Sequence, residues 1–260
     1  CKPQEGASPS SVKTDGENGI DNSFGSNLVP IIGSLASNPS STISESLAAG
    51  DFTIMLSMDK LEDPGSKPDQ TGIGAGLYGG AKFAALVDCT ATPNDANCSP
   101  PKFDGTDKWP VLPELLNGGN VNDPKVKFPA SYVAGGTWVS GSKGNLDLSV
   151  SIQGFSLTLN ITNAQIAMKI TGTAGTAKAT DGIIAGVIPT EQLITELKKV
   201  AGGFDTSLCE GATFESIAQE IRQASDIMQD GSNGDPSKTC DGISVGLGFE
   251  GAGVQLGGVA

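Results

Sequence analysis

Apolar and polar residues alternate through the middle of the second half of the chain, and a period of two predicts strands. Leu146, Leu148, Val150 and Ile152 alternate with Asp147, Ser149 and Ser151; after Gln153-Gly154 the pattern resumes with Phe155, Leu157, Leu159 and Ile161. A two-residue break between such runs predicts a tight hairpin. Ile166, Met168 and Ile170, following Asn163-Ala164, read as the next strand of the meander. One face of this sheet is aliphatic and the other carries hydroxyls and amides. A sheet apolar on one side needs a second layer, so the expected fold is mainly β: an antiparallel β-sandwich of jelly-roll type.

Earlier in the chain, Phe52, Ile54, Leu56 and Met58 alternate with Thr53, Met55, Ser57 and Asp59, which predicts a further strand before a Pro/Gly/Asp loop at 63 to 72. Residues 28 to 49 mix apolar and Ser-rich stretches and read as one or two short helices broken at Asn38-Pro39. Two amphipathic helices are predicted in the C-terminal half. Thr190 caps one near 190–201, with Leu193, Ile194, Leu197 and Val200 on one stripe. Thr213 caps the other near 213–229, with Phe214, Ile217, Ile221, Ala224 and Met228 inward. The tail from Ile243 returns to strand, Val245, Leu247 and Phe249 alternating with glycines. Residues 1–27 read as a flexible tether and 28–260 as a single β-rich domain. Within it, 88–130 holds seven of the fifteen prolines and reads as an irregular binding or lid loop.

Composition narrows the chemistry. The chain contains no histidine, which removes Ser-His-Asp and Cys-His nucleophile pairs, an imidazole base and His-ligated metals. The net charge is -13 and Arg222 is the only arginine, so nucleic acid is not an expected partner. No apolar run reaches the length of a membrane-spanning helix. Gly72-Ile73-Gly74-Ala75-Gly76 resembles part of a dinucleotide fingerprint, but no helix pattern follows it, and glycine density accounts for it.

Five cysteines point to an oxidising compartment. Cys89 and Cys98 flank a polar stretch with Pro93, Asn94 and Asp95, and read as one disulfide. Cys209 and Cys240 bracket the second helix and its loop, and local spacing pairs them as the other. Cys1 is then left over. It reads as a lipid-bearing cysteine, as an arbitrary chain boundary, or as a half-cystine whose partner lies upstream. No CxxC spacing exists, so a cysteine metal site is not expected.

Three constellations could carry function. Trp109, Tyr132 and Trp138, with Asp104 and Asp107, supply rings for stacking on sugars and carboxylates for their hydroxyls. Asp15, Glu17 and Asp21, with Asn18, and Asp230 and Asp235, with Ser232 and Asn233, form acidic Gly/Asn clusters of the kind that hold calcium, although neither follows the EF-hand order. Turn chemistry alone also produces such clusters. Glu114, Asp104 and Asp107 are nominal carboxylates for glycoside hydrolysis, with no spacing that singles them out.

Cys1, the Asp21-Asn22-Ser23-Phe24-Gly25 stretch, and the segment from Cys209 to Gly248 with its helix at Ala218 to Met228 resemble uncharacterised exported lipoproteins of predatory, myxobacterial-type soil bacteria. The resemblance implies export, with an outer-membrane or cell-surface location, and no activity. The expected function is a non-enzymatic exported surface module binding a glycan with calcium assistance. A carboxylate-based glycoside hydrolase and a structural cell-surface protein are the alternatives. Expected partners are a polysaccharide or a surface protein, with membrane contact only through a lipid on Cys1.

Overall fold

In the computed structural model the described residues are 1–7, 22–35, 39–152, 155–172, 175–204 and 212–260. The fold is mainly β with four α-helices, two of them in the C-terminal half. The strands are β1 (Thr53–Asp59), β2 (Gln70–Gly80), β3 (Lys108–Val111), β4 (Val126–Ala134), β5 (Thr137–Val139), β6 (Gly144–Ile152), β7 (Phe155–Thr171), β8 (Lys178–Pro189), β9 (Gly242–Ala252) and β10 (Gln255–Val259). They join in one hydrogen-bonded order, β10-β3-β2-β4-β5-β7-β8-β9, with β1 on β2 and β6 on β7. The strands are mostly antiparallel, as expected, and β10 runs parallel to β3. A separate second sheet, which a sandwich requires, is not found among the described residues.

The chain divides into two compact units. The first comprises Cys1–Ile43, Asn145–Ala164 and Ile184–Leu247; the second comprises Ser44–Gly144, Gln165–Ile183 and Gly248–Ala260.

In the first unit, helices α3 (Thr190–Phe204) and α4 (Ala212–Gln223) bury Leu193, Ile194, Leu197, Phe214, Ala218 and Ile221. Leu146, Leu148, Leu157, Leu159 and Ile161 of the strands are buried in the same unit, where the period of 2 marks the inward face. Arg222 clasps the helices, donating from Nε and Nη2 to Glu191 at 2.7 and 3.2 Å and from Nη1 to Glu215 at 2.8 Å. Helix α4 ends six residues short of the expected 229, because Ser225 and Asp226 are drawn inward. The Ser225 hydroxyl bonds that of Thr190 at 2.7 Å, and the Asp226 carboxylate accepts from Ser244 N and Oγ at 2.8 and 2.5 Å. Met228, expected inside the helix stripe, lies beyond its end.

The described parts of the stretch read as a tether are fastened. Lys2 bridges Thr239, Ser23 is buried with its hydroxyl donating to the Ala224 carbonyl at 2.6 Å, and Asn22 exchanges two hydrogen bonds with the backbone of Gly246. Helix α1 (Val29–Leu35) follows, and Pro39 opens helix α2 (Pro39–Ala49) instead of merely breaking the region. Proline suits a first helical turn, where its missing N–H has no intrahelical partner to lose.

The second unit has its own core of Met55, Tyr78, Phe83, Trp109, Val111 and Leu116. Glycine in β2 lets it close: a Cβ on Gly80 would sit 2.5 Å from the Trp109 indole nitrogen. β1 inverts the simplest reading of its alternation. Met55, opposite Tyr78, is the buried residue, while Ile54 is 40% exposed on the other face.

Cysteine pairing also departs from local spacing. Cys89–Cys98 forms as expected, but Cys240 is joined to Cys1, across a separation of 239 residues, and not to Cys209. The N-terminal segment lies parallel to 238–240, with Cys240 N donating to the Lys2 carbonyl at 2.9 Å, which brings the two sulfurs together. Cys209 lies outside the described residues. A sulfur engaged in this disulfide is closed to a lipid thioether.

Candidate functional site

β3 carries Trp109 into the core of the second unit, where the indole is 0% exposed and donates to the Ala81 carbonyl at 2.7 Å. The ring packs on Phe83 at a centroid distance of 5.0 Å and lies beneath Phe103 at 5.9 Å. Trp138 is equally enclosed: it donates to Ser131 Oγ at 3.1 Å and meets Phe128 edge-on at 6.3 Å. Neither indole offers a face to a sugar. Both were expected at a binding surface, and both are core anchors whose single polar atom is satisfied by protein.

Among the described residues two large rings reach solvent: Tyr132 on β4, 37% exposed, and Phe103, which residue type alone does not flag. Phe103 is 36% exposed and adopts φ 53°, a left-handed conformation that costs a bulky residue of order 1–3 kcal/mol. Asp107 holds it there. This carboxylate is buried, with Oδ2 accepting from Phe103 N at 2.6 Å and Oδ1 from Lys102 N at 3.2 Å, while the Asp107 carbonyl accepts from Gln255 N at 2.8 Å. Gln255 also reaches across to the Gly105 carbonyl at 3.0 Å. Gly105 has φ 88°, and a Cβ there would overlap the Gly175 carbonyl oxygen at 1.6 Å. The loop 101–107 is thus pinned from both ends and presents one aromatic ring outward.

Asp104 stands exposed beside that ring. Hydrogen bonds from the Thr106 hydroxyl and amide hold its carboxyl below the usual carboxylate range, so it is ionised at neutral pH. Two further apolar side chains are exposed nearby in the fold: Leu256 opposite Trp109 in the β10–β3 register, and Leu86, whose Cδ1 lies 3.0 Å from where a Gly258 Cβ would be. On the inner side of the loop, Asn97 donates to the Phe83 and Lys108 carbonyls at 2.7 and 3.0 Å. That residue adjoins Cys98, so the Cys89–Cys98 disulfide fixes the adjacent loop against β3.

The remaining candidates do not converge on this loop. Tyr132 is half exposed on β4, paired with Val139. Glu114 lies in a short 3-10 turn, Pro113–Leu115, and is exposed. Asp107 spends both carboxylate oxygens on loop amides, which is a structural use.

The acidic clusters behave as turns where they are described. Asp230 Oδ1 accepts from Ser232 N and Oγ at 2.8 and 2.5 Å, and Asp235 Oδ1 accepts from Ser237 N and Oγ at 2.9 and 2.6 Å. The serine hydroxyls lower both carboxyl pKa values. Among the described residues no three acidic or cysteine side chains are grouped to hold a metal ion. Asp15, Glu17 and Asp21 lie outside the described residues.

No protein-family model, characterised protein or solved structure matched this chain.

Proposed function

We propose that the protein is an exported, non-catalytic surface module that binds its ligand through the loop 101–107. The observation that carries this reading is Phe103, a large ring kept partly in solvent in a disfavoured backbone conformation by the buried Asp107. Strain of this kind persists where the surrounding structure over-determines it, and it concentrates at ligand-contacting positions. Two disulfides support export. A glycan fits the loop's chemistry: the Phe103 ring would lie against the apolar face of a pyranose, and the ionised Asp104 would accept from a sugar hydroxyl. Exposed Leu86 and Leu256 favour a second reading, an apolar patch on a surface protein.

The test is retention on a panel of immobilised polysaccharides, with calcium and with chelator, alongside a reducing-sugar assay. The expected result is retention without sugar release, weakened at least tenfold by Phe103→Ala in a protein that still folds. Loss of retention in chelator would add a calcium requirement to this reading. Retention unchanged by Phe103→Ala would remove the loop from the site, and sugar release would turn the reading toward hydrolysis.

A further inference from the structure

The strand β1 lies on the outside of the second unit's strand order. Its seven residues pair antiparallel with β2, Thr53 opposite Gly80 through Asp59 opposite Gly74. Among the described residues, β1 pairs with no other strand. Among the described residues, one side of its backbone therefore presents N–H and C=O groups that no strand pairs, which is the template on which another strand adds.

Natural edge strands are protected by charge, by proline, by a bulge or by brevity. β1 has none of the first three before Asp59. The run Thr53-Ile54-Met55-Leu56-Ser57-Met58 carries no charge and no proline, and its register with β2 is unbroken. Its outer face is apolar. Ile54 is exposed, Leu56 and Met58 are half-buried, and half-buried Leu112 and Leu115 approach the same face at Gly79, where a Cβ would meet them at 2.9 and 2.8 Å.

We infer that β1 is a self-association edge, at which two copies of this chain pair antiparallel about a two-fold axis through Leu56. The sequence is self-complementary in that register. Ile54 falls opposite Met58 of the second copy, Leu56 opposite Leu56 and Met58 opposite Ile54, so one apolar stripe runs unbroken across the junction. Met55 falls opposite Ser57, and Thr53 opposite Asp59. Shifting the centre to Met55 would set Asp51 against Asp59, and shifting it to Ser57 would set Met55 against Asp59. A foreign extended peptide could use the same backbone groups, but this register supplies a matched partner from the chain itself. Because each copy carries a charge of -13, association is opposed by long-range repulsion and strengthens as salt screens it.

Sedimentation velocity over a concentration series tests this. The 26.3 kDa chain is expected to double in mass as concentration rises, at lower concentration in high salt than in low. Ile54→Lys alters an exposed position that tolerates charge, and it should remain a single chain at concentrations at least tenfold higher. Cysteine cross-linking in a Cys209→Ser background reads the register, since directly opposed Cβ atoms lie about 4.5 to 5.5 Å apart. Leu56→Cys should cross-link to itself; Ile54→Cys should not, yet should cross-link when mixed with Met58→Cys. A single-chain mass throughout, association unaffected by Ile54→Lys, or self-linking of Ile54→Cys as readily as Leu56→Cys would overturn the inference. So would a monomer that captures an extended foreign peptide on this edge.

Discussion

Arg222 shows how one charged side chain is used when the chain has no other arginine. Its guanidinium takes both oxygens of Glu191 and one of Glu215, joining α3 to α4 across 31 residues of sequence. The Glu191 carboxyl is held below its ordinary range, first by the hydrogen bond from Arg222. A depressed carboxylate pKa contributes stability above the unfolded value and loses it as pH falls through the folded one. Both glutamates are 69% exposed, so solvent screens the interaction. Arg222→Gln should lower stability at neutral pH by less than about 1 kcal/mol. The gap to the parent should narrow as acid neutralises Glu191. Urea unfolding at neutral and acidic pH measures it; a gap that widens in acid would contradict the assignment.

The element whose geometry says most is β7. Its buried positions are Leu157, Leu159 and Ile161, then Ala164, Ile166, Met168 and Ile170, so the inward side changes phase at 162 and 163. Asn163 stands there at φ 54°, and Thr162 Oγ1 and Asn163 Nδ2 both donate to the Gln229 carbonyl, at 3.1 and 3.3 Å. One extra residue in a strand shifts the alternation without reversing its direction, which is the signature of a bulge. Asn163→Val should destabilise by about 1 to 2 kcal/mol, because a β-branched residue is ill suited to the left-handed region. Asn163→Gly should cost less despite losing the same side-chain bond, and thermal unfolding of the pair separates backbone strain from hydrogen bonding. The phase change is visible in the sequence, where it reads as a turn. A turn and a bulge leave the same mark on the alternation and differ only in what lies opposite. The same blindness affects β1, where apolar residues occupy both faces and only the pairing of Met55 with Tyr78 tells which is buried. Helix stripes were more legible: Leu193, Leu197, Phe214 and Ile221 are buried as their spacing predicts. The candidate site was the least legible part. Depth, not residue type, separates the buried Trp109 from the exposed Phe103 above it, and depth depends on contacts with Ala81, Phe83 and β10 that lie far along the chain.

At the scale of the whole molecule the disulfides carry the argument. Cys1–Cys240 lies within the first unit and Cys89–Cys98 within the second, so each unit has one covalent closure of its own. In the chain-entropy model a loop as short as the second is worth about 3 kcal/mol and one as long as the first about 5 kcal/mol. Removing Cys1–Cys240 with Cys240→Ser should therefore lower the melting temperature more than Cys89→Ser with Cys98→Ser, in parallel scans of the oxidised proteins. The longer bridge also fixes the N-terminal segment beside Thr239, where Lys2 already pairs through its backbone. A lipid on Cys1, were there one, would compete with this bridge for the same sulfur. A thioether on Cys1 would leave the buried Cys240 without its bond to Cys1 and would remove the long closure. Peptide mapping under non-reducing conditions, on protein taken from the cells that make it, distinguishes the two in one spectrum. The expected species is the Cys1 peptide joined to the Cys240 peptide. A lipid mass on Cys1 would replace it, and would shift the burden of holding the first unit onto its helices, the Arg222 clasp and the Asp226–Ser244 hydrogen bonds.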